Sequence, residues 1–507
     1  MIFVPFCRFG YDGPQMGAEN LVGALALIGI VIIVSALLSG LIDRSGLPQV
    51  AVFLCIGAAL GPPGLGVFDL RLDSTILRVV ATLSLTLVLF TDAVTLNTSE
   101  VKRHTGLAFR MLGPGTMLCA ALTALAAWWL LQMPPVYAAI LGAALASTDP
   151  VLLRGLLHRP DLSPQTRLAL RLESGLNDVV LLPIVVVAIA LTGHHYQGLG
   201  SFTKIGFGLF ILGPGAGVAI GLIGVAALDL IRKRIGIRRD YESLYSLGVA
   251  LSAFAAAEAV HGSGFLAAFA AGLTIAALDV ELCDCFIEYG GVTAEMLLLF
   301  TFVIFGTSLI WTGFSVLNPA TIIFAVFVVL IRVPIYLISL LGSNVDRRGR
   351  LIIAWFGPRG LSSLLLVLLA VFAGLPGSDR LFALCSLIVL ISVVIHGASP
   401  MLLARLSKKV EPEEPPTPPA DVPKESRSLP VVESSQPVGT QSISLEELDQ
   451  LQKSGETVII LDSRTDRSRD TSDTQAEGSV RLPPENVGIQ AQKLNLPKEA
   501  WLVVFCA

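Results

Sequence analysis

Charged residues are scarce in this sequence. Asp, Glu, Lys and Arg together make up 15% of its 507 residues, whereas soluble domains average about 25%. Hydrophobic residues reach 53%, and the mean hydropathy is +0.74. They are grouped into runs of about 20 residues, the length that crosses the hydrocarbon core of a bilayer. This composition excludes a soluble globular protein and predicts an all-α polytopic membrane protein surrounded by the lipid bilayer.

Cysteine is also sparse, and its seven positions show no pairing pattern. Most of them lie in or beside apolar runs, where a thiol acts as a small hydrophobic side chain. Cys283 and Cys285 form a C-x-C, but no nearby His or second cysteine pair completes a zinc site. We therefore expect no disulfide framework and no cofactor. We also expect no nucleic-acid partner.

Thirteen apolar runs are candidate membrane spans. Basic residues cluster in the odd-numbered connections between them, as at Lys102–Arg103 and Arg232–Arg239. Because short cytoplasmic loops are rich in Lys and Arg, this pattern places the C-terminus in the cytoplasm and the protein in the cell (inner or plasma) membrane. The approximate ranges of the runs are 21–43, 49–66, 77–97, 106–131, 136–157, 168–192, 203–231, 242–261, 263–278, 292–311, 318–342, 351–374 and 380–404.

Composition divides the chain into four parts. Residues 1–20 lack the pattern of a cleaved signal peptide, so we expect this segment to be retained ahead of the transmembrane domain at 21–405. Residues 406–441 are rich in Pro, Glu and Ser, which is typical of a disordered linker. Residues 442–507 have a helical pattern followed by the strand-like TVIILD and AWLVVF. They predict a small α/β segment that ends before such a domain would be complete.

Two spans contain residues that interrupt a helix. Pro150 in the fifth span has no amide hydrogen and disfavours helical geometry at Asp149. We therefore expect this span to unwind near Thr148 and to free carbonyl groups. Gly357 and Pro358 weaken the twelfth span in the same way. One interrupted span in each half is typical of inverted-repeat transporters whose ion site lies near the bilayer midplane.

Ionisable side chains inside these spans are the functional candidates, because burying a charge in a membrane is costly. Glu173 and Asn177 are four residues apart, so they share one helix face. Arg359 is interpreted as the one deep cation, and Glu173 is predicted to form a structural ion pair with it. Asp149 and Asp178 are then left to bind either a proton or a hard cation such as Na+ through oxygen ligands. Competition between the two is sufficient for exchange.

The transmembrane part resembles the first branch of the monovalent cation:proton antiporters, which includes bacterial Na+/H+ exchangers of the thirteen-helix type. The resemblance covers nearly all of residues 20–405. It is carried by ASTDPV in the fifth span, ESGLND in the sixth and GPRGLSSLLL in the twelfth. It implies inverted repeats with crossed, discontinuous helices, a dimerisation domain, a homodimer and transport by alternating access.

The same resemblance implies roles for individual residues. Asp178 would carry the ion or the proton, and Asn177 goes with electroneutral one-for-one exchange. The backbone of Thr148 and the side chain of Ser174 would complete the coordination, and Asp92 occupies the position of an additional acidic ligand. The ion- and proton-binding residues implied in this way are Asp92, Thr148, Asp149, Ser174, Asn177 and Asp178.

The C-terminal segment resembles the beginning of a rhodanese-like domain. SISLEELDQLQKSGETVIILDSRTDRSRD matches its opening helix, strand and Asp-x-Arg segment. Cys506 falls at the position of the active-site cysteine of that family, but only Ala507 follows it. The segment as given is therefore not expected to transfer sulfur.

Three functions follow from these patterns. The first is exchange of Na+ or Li+ for H+ by a transporter that is not an enzyme. The second is exchange of K+ for H+ on the same scaffold, because one sequence does not resolve the radius of the cation. The third is a membrane-anchored protein of sulfur transfer or sulfur sensing. The buried Asp149 and Asp178 argue against the third, since a simple anchor needs no charge in its spans.

Overall fold

The computed structural model of the chain divides into two compact units, residues 1–409 and 410–507, which we describe separately. Residues 1–20, most of the first predicted span and nearly all of the predicted linker 406–441 lie outside the described residues. The described residues are 49–66, 71–96, 103–157, 162–192, 199–234, 239–278, 291–407, 458–464, 478–482 and 501–505, with isolated positions at 29, 33, 37, 101, 159, 448 and 494.

The first half of the membrane unit consists of helices joined by short connections. A π-helical segment, Met111–Met117, joins α3 to α4 without a break in the chain's helical path. The helices are α1 (Gln49–Leu60), α2 (Thr75–Thr95), α3 (Thr105–Arg110), α4 (Leu118–Leu130), α5 (Pro135–Ala146), α6 (Pro150–Leu157) and α7 (Pro164–Thr192).

The second half has the same character. Further π-helical segments lie at Gly208–Leu212 and Phe305–Leu309, and a 3-10 segment follows at Ile310–Val316. The helices are α8 (Leu199–Phe207), α9 (Gly213–Arg234), α10 (Arg239–Ala259), α11 (Gly264–Leu278), α12 (Gly291–Ile304), α13 (Pro319–Ser339), α14 (Arg347–Trp355), α15 (Leu361–Phe372) and α16 (Ser378–Ser407).

These helices confirm the predicted polytopic fold. Eight helical stretches are long and apolar enough to cross a membrane, and four shorter apolar helices accompany them in the part of the chain that is described. Each corresponds to one of the predicted spans from the second to the thirteenth. The four short ones are Gln49–Leu60, Leu244–Ala259, Gly264–Leu278 and Leu361–Phe372.

Local capping explains where several helices begin. Ser74 precedes α2, and its side chain accepts a hydrogen bond from the amide of Leu77 at 3.4 Å. Asn318 precedes α13 and forms a reciprocal capping box with Thr321. Asp346 precedes α14 and accepts from the amide of Gly349 at 3.1 Å. Each cap satisfies an amide that the first turn of a helix leaves without a partner.

Small residues allow α1 to approach the second-half π segment closely. A Cβ atom on Gly57 of α1 would overlap the backbone of Gly306 in the second-half π segment, and one on Gly306 would overlap the backbone of Leu54 on α1. Thr301 lies on α12, which precedes this segment, and its hydroxyl lies 2.7 Å from that of Ser84 on α2. These contacts place α1, α2 and α12 in one tightly packed group.

The C-terminal unit contains a three-stranded parallel sheet. β1 (Val458–Asp462) lies between β2 (Val480–Arg481) and β3 (Trp501–Phe505). Its parallel pairing agrees with the predicted α/β segment, while the rhodanese-like resemblance stays a prediction. Asp462 at the end of β1 pairs with Arg464 at 2.9 Å. Hydrogen bonds from Arg464 hold the pKa of Asp462 below its usual value.

Candidate ion-exchange site

Two interrupted helices meet at the centre of the membrane unit. α5 ends at Ala146 and α6 begins at Pro150, while α14 ends at Trp355 and α15 begins at Leu361. The two irregular segments are joined directly, because the amide of Asp149 donates to the carbonyl of Pro358 at 2.9 Å. Both breaks therefore confirm the sequence prediction, and each lies at the proline that motivated it.

Asp149 holds the two half-helices together. Its Oδ1 accepts from the amide of Val151 at 2.9 Å, and its Oδ2 accepts from the amide of Leu361 at 2.7 Å. One carboxylate thus caps the N-termini of both α6 and α15, where the helix dipole favours negative charge. Gly360 is required for this approach, since a Cβ atom there would overlap the carboxylate.

Glu173 is paired with Arg332, so the predicted pairing with Arg359 was wrong. Both side chains are buried, and the contact is bidentate: Nη1 lies 2.5 Å from Oε1 and Nη2 lies 2.7 Å from Oε2. Tyr336, one turn further along α13, donates its hydroxyl to Oε1 at 2.8 Å. The planar guanidinium matches the two carboxylate oxygens, which makes this a strong form of buried ion pair.

Arg359 is instead occupied by backbone carbonyl groups that surround the breaks. Its Nε donates to Leu145 at 2.9 Å, its Nη2 donates to Val328 at 3.3 Å, and its Nη1 donates to the carbonyl of Gly357. The last carbonyls of an interrupted helix lack intrahelical partners and carry partial negative charge. The guanidinium therefore neutralises freed carbonyls, which explains why it does not reach Glu173.

Side chains of α16 support the same break from behind. The amide of Arg359 donates to the hydroxyl oxygen of Ser392 at 2.7 Å. His396 lies one turn further, with Nδ1 3.0 Å from that hydroxyl and Nε2 3.2 Å from the carbonyl of Trp355. The end of α14 and the irregular segment after it are thus held in place by polar contacts.

Asn177 and Asp178 lie across from the break between α5 and α6. Asn177 donates from Nδ2 to the hydroxyl of Thr148 at 2.6 Å, and Ser147 donates to Oδ1 of Asp178 at 2.5 Å. Both α7 side chains are buried. Oδ1 of Asn177 and Oδ2 of Asp178 have no hydrogen-bond partner among the described residues. A buried oxygen atom that lacks a donor is suited to bind a proton or a hard cation.

The remaining predicted ligands are placed less centrally. Ser174 is buried, and its hydroxyl donates back to the carbonyl of Arg171 on its own helix at 3.4 Å. Asp92 on α2 is partly buried and lies opposite Gly175 of α7, close enough for ordinary contact with a Cβ atom there. Cys506 lies outside the described residues.

Sequence reasoning missed Arg332, Ser147 and Tyr336. Arg332 had a clear signal, because it is a cation in the middle of the apolar stretch Pro319–Ser339. The rule that buried charges in spans are functional applies to it as much as to Arg359. Ser147 and Tyr336 had no comparable signal, since hydroxyl-bearing residues are common in membrane helices.

Comparison with known proteins agrees with this geometry. The family model described as "Sodium/hydrogen exchanger, transmembrane" matches residues 30–405. The chain belongs to this family. It is accordingly a membrane transporter, a cation:proton antiporter and not an enzyme, and its partners are monovalent cations and protons.

Individual members of the family share less than a third of their aligned residues with this chain. The K(+)/H(+) antiporter NhaP2 of Shewanella sp. (strain MR-4) is 28% identical over 417 residues, which cover 80% of this chain and 69% of that protein. The K(+)/H(+) antiporter NhaP of Alkalimonas amylolytica is 25% identical over 405 residues, covering 79% and 69%. The solved structure of the sodium proton antiporter MjNhaP1 from Methanocaldococcus jannaschii has a TM-score of 0.62 at 19% identity, covering 76% of this chain and 99% of that one. This likeness supports the fold.

Proposed function

We propose that this exchanger moves Na+ or Li+ against H+ by letting the cation and the proton compete for Asp178. One observation carries the proposal: Oδ2 of Asp178 and Oδ1 of Asn177 are buried oxygen atoms without hydrogen-bond donors among the described residues. A buried carboxylate oxygen without a donor is stabilised when it gains a proton or a metal ion. The two ligands exclude each other, and this couples their movements.

The buried charges support electroneutral exchange. Five buried Asp, Glu, Lys or Arg side chains occur in the described part of the membrane unit: Asp149, Glu173, Asp178, Arg332 and Arg359. The two arginines balance two of the three carboxylates. One negative charge is left, and Asp178 is the carboxylate with a free oxygen. One proton or one monovalent cation neutralises it, which corresponds to a one-for-one exchange.

The ligand set has a clear division of labour in this proposal. Asp178 and Asn177 supply the two side-chain oxygens, and Thr148 and Ser147 orient them from the break. Asp149 holds the break and lies beside the bound ion. Ser174 and Asp92 complete the site in a conformation in which the ion is coordinated. Transport by alternating access, a homodimer and a cytoplasmic C-terminus remain expectations.

K+ is the second candidate cation. It is favoured by the printed names of the relatives, which are K(+)/H(+) antiporters. Na+ is favoured by the name of the structural neighbour, a sodium proton antiporter. Oxygen ligands serve both ions, so the transport measurement decides between them.

The test is cation-dependent proton movement in everted membrane vesicles, followed with a fluorescent pH probe. We expect Na+ or Li+ to dissipate an imposed pH gradient in vesicles with the wild-type protein and not in vesicles with Asp178→Asn. A response to K+ alone would assign the second candidate. If no alkali cation acts between about pH 6 and 9, or if Asp178→Asn transports like wild type, the proposal is wrong.

A further inference from the structure

A pair of hydroxyl groups, Thr116 and Tyr336, lies behind the Glu173–Arg332 ion pair. Tyr336 is fully buried, and its ring lies under the guanidinium of Arg332, 3.8 Å from Cζ to the ring centroid. Thr116 is buried as well, and its hydroxyl lies 3.1 Å from that of Tyr336. Neither residue is one of the proposed ion ligands. Their role therefore has to follow from the groups to which they are hydrogen-bonded.

The direction of the hydrogen bonds follows from proton counting. An ionised Glu173 can only accept, so the hydroxyl of Tyr336 donates to it, and the Tyr336 oxygen is free to accept. Thr116 has a single hydroxyl proton, and the Tyr336 oxygen and the Met111 carbonyl both lie 3.1 Å from its Oγ1. Thr116 can therefore orient the tyrosine by donating to it or stabilise its own helix by donating to Met111.

The hydroxyl of Thr116 is presented by an irregular helical segment. Thr116 lies in the π-helical stretch Met111–Met117, which contains Pro114. Proline cannot donate to the carbonyl four residues earlier, and the carbonyl of Arg110 instead accepts from Ser339 near the end of α13. This ties the segment to α13, the helix that carries Tyr336. π-helical turns inside α-helices are frequent at functional sites.

The hydroxyl pair is connected to the ion site through Glu173. Oε1 of Glu173 accepts from Tyr336 at 2.8 Å and faces the hydroxyl of Thr148 at 3.5 Å. Thr148 in turn accepts from Nδ2 of Asn177 at 2.6 Å. A continuous polar path thus runs from the π-helical segment to the amide whose other end, Oδ1, has no donor among the described residues.

We propose that Tyr336, oriented by Thr116, is a positioning residue for ion exchange: its hydroxyl fixes the Glu173 carboxylate and thereby the Thr148 and Asn177 side of the cation site. The inference rests on the proposed exchange at Asp178. Without the tyrosine hydroxyl, Oε1 of Glu173 has room to draw the Thr148 proton closer. Asn177 then loses its present anchor, and cation coordination weakens while the proton affinity of Asp178 is less affected.

The test compares Tyr336→Phe with Tyr245→Phe in vesicles, with NaCl, LiCl and KCl as probes. Tyr245 is a matched control, because its hydroxyl donates to the carbonyl of Gly224 at 2.8 Å, on helices away from the site. Loss of a hydrogen bond to a charged group predicts about a tenfold rise in the half-saturating cation concentration for Tyr336→Phe. The pH profile of exchange should shift to more alkaline values, because a cation that binds more weakly competes only when fewer protons are present. Tyr245→Phe should show neither change.

A change confined to protein yield or maximal rate, with half-saturation within about twofold of wild type, would reduce Tyr336 to a structural residue and overturn the inference. Thr116→Val and Thr116→Ser provide a second comparison if Tyr336→Phe does not insert. Valine should shift half-saturation in the same direction, whereas serine should restore it; identical behaviour of the two would also overturn the inference. Exchange that is present in wild type and absent in Asp178→Asn supports the proposed function whatever Tyr336 does. A wild type without exchange would overturn both.

Discussion

Glu173 and Asp178 are two buried carboxylates on the same helix, five residues or about 7.5 Å of helix axis apart, and their surroundings differ completely. Both oxygens of Glu173 accept from Arg332, and one accepts from Tyr336 as well. Asp178 accepts from Ser147 through Oδ1, and its Oδ2 has no partner within hydrogen-bond distance in the described part of the chain. Burial alone therefore does not mark an ion site. Under the proposed exchange, the oxygen without a partner marks it.

Asp149 resembles Glu173 in this respect, because both of its carboxylate oxygens accept hydrogen bonds. Its two oxygens are bound by the amides of Val151 and Leu361. Its charge is therefore used to join two half-helices, and a transported cation would have to share it with those amides. Four experiments test this contrast between carboxylates whose oxygens are satisfied and Asp178, the proposed carrier.

The largest expected effect is a difference in thermal stability between Arg332→Ala and Asp178→Asn. Removing one partner of a buried ion pair costs about 3–5 kcal/mol of stability, so Arg332→Ala should greatly reduce the folded protein and its melting temperature in detergent. Asp178→Asn removes a charge without such a partner and should leave the melting temperature at or above that of wild type, although exchange is lost.

The matched control for Arg332→Ala is the double variant Glu173→Gln/Arg332→Met. Replacing both charges leaves no unpaired ion, so more than half of the lost stability should return. A double variant as unstable as Arg332→Ala would show that the pair itself is not what stabilises this region. Melting followed by intrinsic fluorescence measures all three proteins.

Asn177→Asp should change the charge carried per cycle. It adds a second carboxylate beside Asp178, next to Thr148 of the break, so the empty site would hold one more negative charge. We expect exchange to become sensitive to a membrane potential imposed with a gradient of a permeant anion such as thiocyanate, with Na+ as the test cation. Wild type should respond equally at zero and negative potential. A wild type that depends on the potential would contradict electroneutral exchange.

Gly360→Ala tests the holding role of Asp149 by a steric route. The new Cβ atom would overlap the Asp149 carboxylate, and overpacking of this kind costs about 1–3 kcal/mol. The melting temperature should fall, and exchange should fall with it. Gly215→Ala on α9 is the control, because no atom lies within 4 Å of its Cβ position. Equal melting temperatures for the two variants would show that the two half-helices can separate without loss.

The smallest effect concerns the ion pair of the C-terminal unit. Arg464 lowers the pKa of Asp462, so the pair stabilises the folded unit above the usual carboxylate pKa of about 3.9. This stabilisation is lost as the pH falls through the lowered pKa. Hydrogen exchange of residues 458–462 in the full chain should be faster in Arg464→Gln than in wild type at pH 7. The difference should shrink as the pH is lowered below about 4. A difference that persists there would mean that Arg464 acts through packing.

Local chemistry made much of the fold predictable. Runs of apolar residues identified all twelve apolar helices in the described part of the chain, because the bilayer requires a continuous hydrophobic stretch. Pro150 and Pro358 located both breaks, because a missing amide hydrogen acts on the chain around it. Asp149 in the ASTDPV motif and Asp178 in the ESGLND motif were identified as candidates because they are charges in apolar spans.

Partners that lie far apart in sequence were not predictable in this way. Glu173 and Arg332 are 159 residues apart, and a single sequence offers two buried arginines without saying which one faces the glutamate. Arg359 donates to the carbonyls of Leu145 and Gly357, which lie at the two helix breaks. The hydroxyls of Ser147 and Tyr336 likewise reach Asp178 and Glu173 only because the helices pack in this arrangement.

The sequence by itself determined that this protein crosses the membrane many times, where two of its helices break and which carboxylates are buried. These properties depend on hydrophobicity and on backbone chemistry within a few residues. Only the tertiary structure decided which carboxylates are satisfied and which one is left open. That choice depends on directional hydrogen bonds between distant segments, and their geometry is set by how the helices pack.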